Sequence, residues 1–184
     1  MSDTPSRKYA AHKVRRYAIR GVTLFEMVVV IGIVGILMAI AIPSYQYVTN
    51  SNRISAEING LLGDLQFARS EAIKEGQTVS ICVSTNGATC AAGNNVWNNG
   101  WIVLSPSFAT PLRAQSAFSG TDTLTANNTI SAIAFNREGF AAGLPNGAML
   151  TLHAATPATG STRCLSVTLI GLMTIQIYNG GTCT

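Results

Sequence analysis

Charged residues are scarce in this sequence, and the residue patterns of the common catalytic sites are missing from it. Only 11% of the 184 residues are charged, and two are histidine. No GxSxG, P-loop, GxGxxG or HExxH pattern occurs, and the acids that could serve as a general acid or base are few. These absences argue against an enzyme, and we expect no cofactor.

The four cysteines lack the spacing of a zinc site, because the sequence has no CxxC or Cys/His ligand pattern. An even number of cysteines is typical of an exported protein whose thiols are oxidised to disulfides. We expect the pairs Cys82–Cys90 and Cys164–Cys183, since each joins a strand to a segment that can return to it locally. His153 lies on an alternating strand, where an exposed or packed side chain is a better interpretation than a metal ligand.

A long stretch near the N-terminus carries no charge. The sixteen residues from Met27 to Ile42 are uncharged, and residues 22–25 add further apolar side chains. About twenty such residues are what an α-helix needs to cross the hydrocarbon layer of a membrane. A single carboxylate, Glu26, stands at the head of the stretch.

The net charge of +4 is confined to the segment before this stretch. Residues 1–21 hold six bases and one acid, a balance of +5, whereas the remaining residues hold six bases and seven acids, a balance of −1. A basic segment before an apolar helix predicts a cytoplasmic N-terminus. An ordinary secretory signal cleaved at Ala39-Ile40-Ala41 is the alternative, but Glu26 has no purpose in such a signal.

Helical periodicity continues beyond Pro43, although proline usually breaks a helix. Gly76 stands where a glycine cap ends a helix. We predict one helix from about Thr23 to Glu75, bent near Pro43 and amphipathic in its second half. Its buried stripe is expected to consist of Ile54, Ile58, Leu61, Leu65, Ala68 and Ala72.

After Thr78 the period changes to two, which predicts short strands. Residues Ser105–Asn128 are rich in Ser, Thr, Ala, Asn and Pro and are predicted to form a loop, and Trp97 and Trp101 are predicted to be core or rim aromatics. The fold class is α+β: an antiparallel β-sheet packed on the amphipathic half of the helix. The predicted strands are Thr78–Ser84, Trp101–Leu104, Ile130–Phe135, Ala148–His153, Cys164–Ile170 and Thr174–Tyr178.

The N-terminal residues resemble those of a type IV pilin. In that family a glycine precedes the cleavage point, as Gly21 would here, and a glutamate is the fifth mature residue, as Glu26 would be. Pro43 matches the proline in the middle of the long helix. Later segments resemble the GspH/FimT group of minor pilins: Leu65–Gly76, Gly100–Val103 and Phe135–Gly139.

This resemblance implies a pilin-like fold and a minor pilin or pseudopilin. A membrane peptidase would remove a leader of residues 1–21 by cutting between Gly21 and Val22, and the new amine of Val22 would be methylated. Residues 22–51 would be the transmembrane and assembly half of the helix, and residues 52–184 a periplasmic domain. Glu26 would pair with the terminal amine of a neighbouring subunit. The implied partners are the prepilin peptidase, other major and minor pilins, the inner-membrane assembly platform, and membrane lipid before assembly.

Two other functions remain open. A pseudopilin of a type II secretion system would have the same physical properties. Some members of the group take part in DNA uptake and carry a Gly-Arg-x-Arg motif, but this chain has Gly171-Leu172-Met173-Thr174 in the matching place. DNA binding depends on cationic side chains, and the candidates left are Arg113, Arg137 and Arg163.

Overall fold

The computed structural model describes residues 21–155, 162–178 and 183. Within these residues, one long helix, α1 (Leu24–Glu75), is followed by nine strands, and the chain divides after Ile42 into two compact units. The predicted helix is confirmed to within one residue. The strands are β1 (Val79–Val83), β2 (Gly100–Leu104), β3 (Arg113–Ser116), β4 (Thr123–Ala126), β5 (Ala132–Phe135), β6 (Ala141–Ala142), β7 (Ala148–His153), β8 (Thr162–Val167) and β9 (Met173–Tyr178).

In the second unit, which begins at Pro43, the helix buries the stripe that its periodicity predicts. The buried residues recur at steps of four and three, so they lie on one face of the helix. Gly76 follows the last turn with a φ of 65°, a left-handed conformation that glycine adopts without strain. The buried side chains are Ile54, Ile58, Leu61, Leu65, Ala68 and Ala72.

The strands form two antiparallel sheets rather than the one that the sequence predicts. One sheet has the order β3-β2-β1-β5-β6, and the other has the order β4-β7-β8-β9. Apolar side chains of both sheets and of α1 belong to one core cluster. Burial of each large aliphatic or aromatic side chain stabilises the fold by about 1.5–3 kcal/mol.

The prediction of a loop over Ser105–Asn128 is wrong, because this segment contains β3 and β4. All four residues of β3 are exposed, so no alternation of apolar side chains marks this edge strand. Strand β4 does alternate, with Leu124 and Ala126 buried, but it is only four residues long. Periodicity cannot distinguish so short a strand from a loop that happens to contain two apolar residues.

Both tryptophans lie in the core, as predicted. Trp97 and Trp101 are 0% and 1% exposed. Each indole N–H donates a hydrogen bond: Trp97 to the carbonyl oxygen of Ile130, at 2.9 Å, and Trp101 to Oδ2 of Asp64, also at 2.9 Å. A buried tryptophan needs such a partner for its one polar group.

The structure contains both expected disulfides. Cys82–Cys90 ties β1 to the loop that follows it, and Cys164–Cys183 ties β8 to the end of the chain. The first loop is turned at Gly87, which has a φ of 69°. Each crosslink therefore ties a residue outside the strands to a strand.

Candidate assembly site

The helix begins with a capping arrangement that includes the candidate glutamate. The hydroxyl oxygen of Thr23 accepts a hydrogen bond from the backbone N–H of Glu26, at 3.2 Å, and the Thr23 carbonyl accepts one from Met27, also at 3.2 Å. Threonine followed three residues later by glutamate is the capping-box sequence. A carboxylate in the first turn also interacts favourably with the helix dipole. Glu26 at this position therefore stabilises the start of the helix.

Beyond Glu26 the helix exposes a large apolar surface. Among the described residues, α1 is the one helix long and apolar enough to cross a membrane. Apolar surface of this extent is unfavourable in water and is stable against lipid or other apolar helices. The exposed side chains include Met27, Val28, Val30, Ile31, Ile33, Ile36, Leu37, Met38, Ile40 and Ile42. The length and composition of this segment suit it to anchor the protein in a membrane.

The two residues of the predicted cleavage point precede the helix. Gly21 and Val22 are exposed and lie in non-helical backbone. A bond in such a segment is accessible to a protease, unlike a bond inside the helix that starts at Leu24. The rest of the predicted leader, residues 1–20, lies outside the described residues.

In the second unit, two of the segments that resemble minor pilins, Leu65–Gly76 and Phe135–Gly139, approach each other at Gly139. Arg69 of α1 donates hydrogen bonds to the carbonyl oxygens of Gly171, at 2.9 Å, and Ile170, at 3.3 Å. A Cβ atom at Gly171 would overlap the carbonyl oxygen of Gly139, so the two turns approach each other at their backbones. Trp101, from the second motif, bonds to Asp64 of the helix. Contacts of Trp101 and of the turns at Gly139 and Gly171 therefore connect the helix to both sheets.

The three candidate arginines for nucleic acid are not gathered on one element. Arg113 lies on β3, at one edge of the five-stranded sheet, and its Nη1 is 2.9 Å from Oδ1 of Asp64. Arg137 lies in the turn that leads to β6 at the opposite edge, and its Nε is 2.6 Å from Oε1 of Glu138. Arg163 lies on β8 of the other sheet. Arg113 and Arg137 are thus already paired with carboxylates.

No group of three or more potential metal ligands occurs in the described part of the chain. His153 is half-buried at the end of β7, where its Nδ1 is 3.1 Å from the hydroxyl oxygen of Thr162. The imidazole of His153 is therefore a packed side chain.

A partly buried charge cluster on the helix was not foreseen from the sequence. Arg53 makes two contacts with the carboxylate of Asp122, whose side chain is fully buried, and Nε of Arg53 is 4.0 Å from Oε1 of Glu57. Burial raises the pKa of Glu57 from 4.5 to about 7, the charge of Asp122 and a hydrogen bond with it add to the increase, and Arg53 opposes it. The spacing of Arg53 and Glu57, four residues apart on a helix, is the one local signal. Nothing local points to Asp122, which is 69 residues away from Arg53.

Comparison with known proteins agrees with this geometry. The family model "Type II transport protein GspH" matches residues 57–171, and the model "Prokaryotic N-terminal methylation motif" matches residues 16–42. The type IV minor pilin FimU of Pseudomonas aeruginosa has a similar fold, with a TM-score of 0.56 and 23% identity over 68% of this chain and 89% of that one.

One relative of established identity shares part of this sequence. The type IV major fimbrial protein FimA of Dichelobacter nodosus is 36% identical over 83 residues, which are 44% of this chain and 53% of that protein. The alignment thus spans about half the length of that relative. The matched family model covers most of the second unit, including the helix from Glu57 onward, Trp101 and the Gly139–Gly171 contact. The chain therefore belongs to the GspH family and is a type IV pilin-like protein, a minor pilin or pseudopilin.

Proposed function

We propose that this chain is a minor pilin that takes part in the biogenesis of a type IV pilus, at the initiation or at the tip of the filament. The observation that carries the proposal is the apolar half of α1, exposed along its length and bearing one carboxylate, Glu26, next to its capped start. Such a helix can contact lipid before assembly and pack against the apolar helices of other subunits afterwards.

The proposed sequence of events begins in the inner membrane. The N-terminus lies in the cytoplasm, residues 22–51 span the membrane, and residues 52–184 lie in the periplasm. A prepilin peptidase cleaves between Gly21 and Val22 and removes residues 1–21, and the amine of Val22 is methylated. The match of the methylation-motif model to residues 16–42 supports this assignment.

During assembly, Glu26 would neutralise the terminal amine of an adjacent subunit. A charge in the apolar interior of a helix bundle costs several kcal/mol unless it is paired. Between residues 22 and 52, Glu26 is the one charged side chain, so no other residue of this segment can supply that pairing. The carboxylate would thereby fix the axial position of each new subunit.

The test is filament incorporation of Glu26→Ala and Glu26→Gln. Both changes remove a charge from an apolar helix, so membrane insertion should be unaffected, but the protein should be depleted from sheared filaments. Val34→Ala, which trims an exposed apolar side chain of the same helix and keeps the carboxylate, is the matched control. Incorporation of both Glu26 variants at the control level would disprove the assembly role.

A type II secretion pseudopilin is the second candidate, and the description of the matched family model favours it. Both proposals require the same apolar helix. They differ in the assembly that incorporates the subunit, a type IV pilus or a type II secretion system. Deletion of the gene discriminates between them. Loss of pili would support the minor pilin, and loss of enzyme export would support the secretion pseudopilin.

A further inference from the structure

Strand β9 lies at one edge of the four-stranded sheet, where it pairs with β8. The antiparallel register is unbroken over all six residues, from the Thr162–Tyr178 pair to the Val167–Met173 pair. No strand of the described residues pairs with the other side of β9, which we call the free edge. An unpaired strand edge presents a row of backbone N–H and C=O groups that can bind another strand.

The other three sheet edges in the described part of the chain differ from this one. A bridge between Val96 and Thr125 covers β4, β6 is two residues long, and β3 is four residues long and carries the charge of Arg113. Covering segments, short strands and charged side chains are the means by which proteins prevent the pairing of an edge. Strand β9 is six residues long and contains no charge, no proline and no bulge. It is therefore suited to accept another strand.

Cys183, the one described residue that follows β9, does not cover the free edge. Its sulfur is bonded to Cys164 of β8, and its backbone N–H donates to the hydroxyl oxygen of Thr151 on β7, at 3.4 Å. Strands β7 and β8 lie on the paired side of β9. Cys183 is therefore held away from the free edge.

A hydrogen bond in the turn between β8 and β9 shows which backbone groups point to the free edge. The N–H of Thr168 donates to the carbonyl oxygen of Leu172, at 2.9 Å, so the backbone groups of Leu172 are directed at the β8 side. Along an antiparallel strand, such residues alternate with residues whose backbone groups point away from the partner. The groups that point to the free edge therefore belong to Met173, Ile175 and Ile177.

The side chains of β9 alternate between apolar and polar. Met173 and Ile175 pack against the core, whereas Ile177, on the same face, is 68% exposed. A strand that binds the free edge must therefore place uncharged apolar side chains beside Ile175 and Ile177 and polar ones on the other face. The residues of that other face are Thr174, Gln176 and Tyr178.

We propose that the free edge binds the β9 strand of a second copy of this chain, antiparallel and with Gln176 opposite Gln176. Strand β9 itself has the alternation that its edge requires. In this register Ile175 of each copy lies opposite Ile177 of the other, and the two residues exchange both backbone hydrogen bonds. Tyr178 lies opposite Thr174, and pairs of an aromatic with a β-branched side chain stabilise antiparallel sheets. The two four-stranded sheets thereby become one sheet of eight strands.

The proposed pairing brings no like charges together. The charged residue nearest to β9 in its sheet is Arg163 of β8, which lies opposite Ile177. Across the dimer this row continues through Ile175 and Leu165 of the second copy, so the two Arg163 side chains lie in different rows. Their strands are three spacings apart, about 14 Å, which exceeds the screening length at physiological salt. The proposal does not depend on the assembly that incorporates the subunit.

Cysteine crosslinking of the full-length protein in detergent micelles tests the register. Opposed residues of a non-hydrogen-bonded pair have Cα atoms about 4.5 Å apart, which a disulfide can join, so Gln176→Cys should form a linked dimer under mild oxidation. Thr174→Cys and Tyr178→Cys should each fail alone, because equivalent residues are about 14 Å apart, but should link when the two variants are mixed. All three side chains are exposed, so these changes leave the core intact.

The crosslinks have a clear negative outcome. Absence of a dimer for Gln176→Cys, or equal crosslinking of the three single variants, would overturn the proposal.

A proline at the free edge tests whether backbone hydrogen bonds hold the dimer. Ile177→Pro removes an N–H that points away from β8, so the pairing within the subunit is kept. Ile177→Val keeps the N–H and a β-branched side chain and is the matched control. By sedimentation equilibrium in micelles, Ile177→Pro should dimerise at least about ten-fold more weakly than Ile177→Val, because two hydrogen bonds are lost. Near-ultraviolet circular dichroism checks that both variants keep the fold.

Equal dimerisation of the two variants would overturn the proposal. The apolar half of α1 would then be the element that holds the copies together.

Amide hydrogen exchange of the wild-type protein gives a readout that needs no substitution. The N–H of Gln176 is directed at β8 and should be protected at every protein concentration. Those of Ile175 and Ile177 should become protected as the protein concentration rises and the dimer forms. Rapid exchange of both amides in a protein that is dimeric, or a protein that stays monomeric at the highest concentration, would overturn the proposal.

Discussion

Arg53 and Asp122 form a two-point ion pair that joins the helix to the segment before β4. Nε of Arg53 is 2.7 Å from Oδ2 of Asp122, and Nη2 is 2.9 Å from Oδ1. The carboxylate is fully buried, whereas the arginine is 39% exposed. Oδ1 also accepts a hydrogen bond from the backbone of Ala155, at 2.8 Å. Asp122 thus holds three separate segments of the second unit together.

We predict that Asp122→Asn lowers the free energy of unfolding by about 1–3 kcal/mol, because it removes a charge-assisted pair but leaves Arg53 partly solvated. The measurement is urea unfolding of the full-length protein in micelles, followed by near-ultraviolet circular dichroism. Glu138→Gln is the control, since its pair with Arg137 is exposed. The prediction fails if the two variants unfold at the same urea concentration.

The pKa of Glu57 predicts an unusual dependence of stability on pH. Its folded pKa is about 7, above the ordinary value of 4.5, so the folded state holds the proton more tightly than the unfolded state does. Stability from this group is complete below pH 4.5 and is lost as the pH rises through 7. Glu57→Gln resembles the protonated form, so its stability relative to wild type should increase from pH 4.5 to above 7. Paired thermal melts at five pH values measure this difference, and a flat difference would refute it.

Removal of the disulfides should destabilise the second unit unequally. The sequence separations are 8 for Cys82–Cys90 and 19 for Cys164–Cys183. Chain entropy predicts losses of about 2.5 and 3 kcal/mol, respectively. Double Cys→Ala variants compared by denaturant unfolding test this expectation. A larger loss for Cys82/Cys90 would show that burial of Cys82 in β1, and not loop closure, dominates its contribution.

Processing is predicted to leave a mature N-terminus at Val22 that carries one methyl group. The reason is the short exposed segment between the basic leader and the start of α1 at Leu24. Mass spectrometry of protein extracted from the native membrane decides the point. An N-terminus at Ile42 would instead indicate a conventional secretory signal.

Binding to duplex DNA is predicted to be weak at physiological salt. From residue 52 onward, six bases face six acids, and Arg113 and Arg137 are each paired with a carboxylate. Non-specific DNA binders have dissociation constants of about 10⁻⁴–10⁻⁶ M, and we expect this protein at the weak end or beyond. Titration of labelled duplex at two salt concentrations is the measurement. Micromolar binding with a steep salt dependence would restore DNA uptake as a function.

The sequence alone determined the features that depend on local periodicity. The extent of α1, its buried stripe and its glycine cap follow from spacings within a few turns, and most strands follow from alternation over five or six residues. The disulfide pairs were also predictable, because each closes a short loop. It was also predictable that the apolar half of α1 needs an apolar environment, because this follows from its composition.

Tertiary structure alone decided which distant segments meet. Arg53 and Asp122 are 69 residues apart, and Arg69 and Gly171 are 102 residues apart. The division of the strands into two sheets and the position of β3 at a sheet edge both depend on such contacts. The physical reason is that a periodic pattern specifies which face of an element is buried but not its partner, and that choice is made by packing the whole core at once.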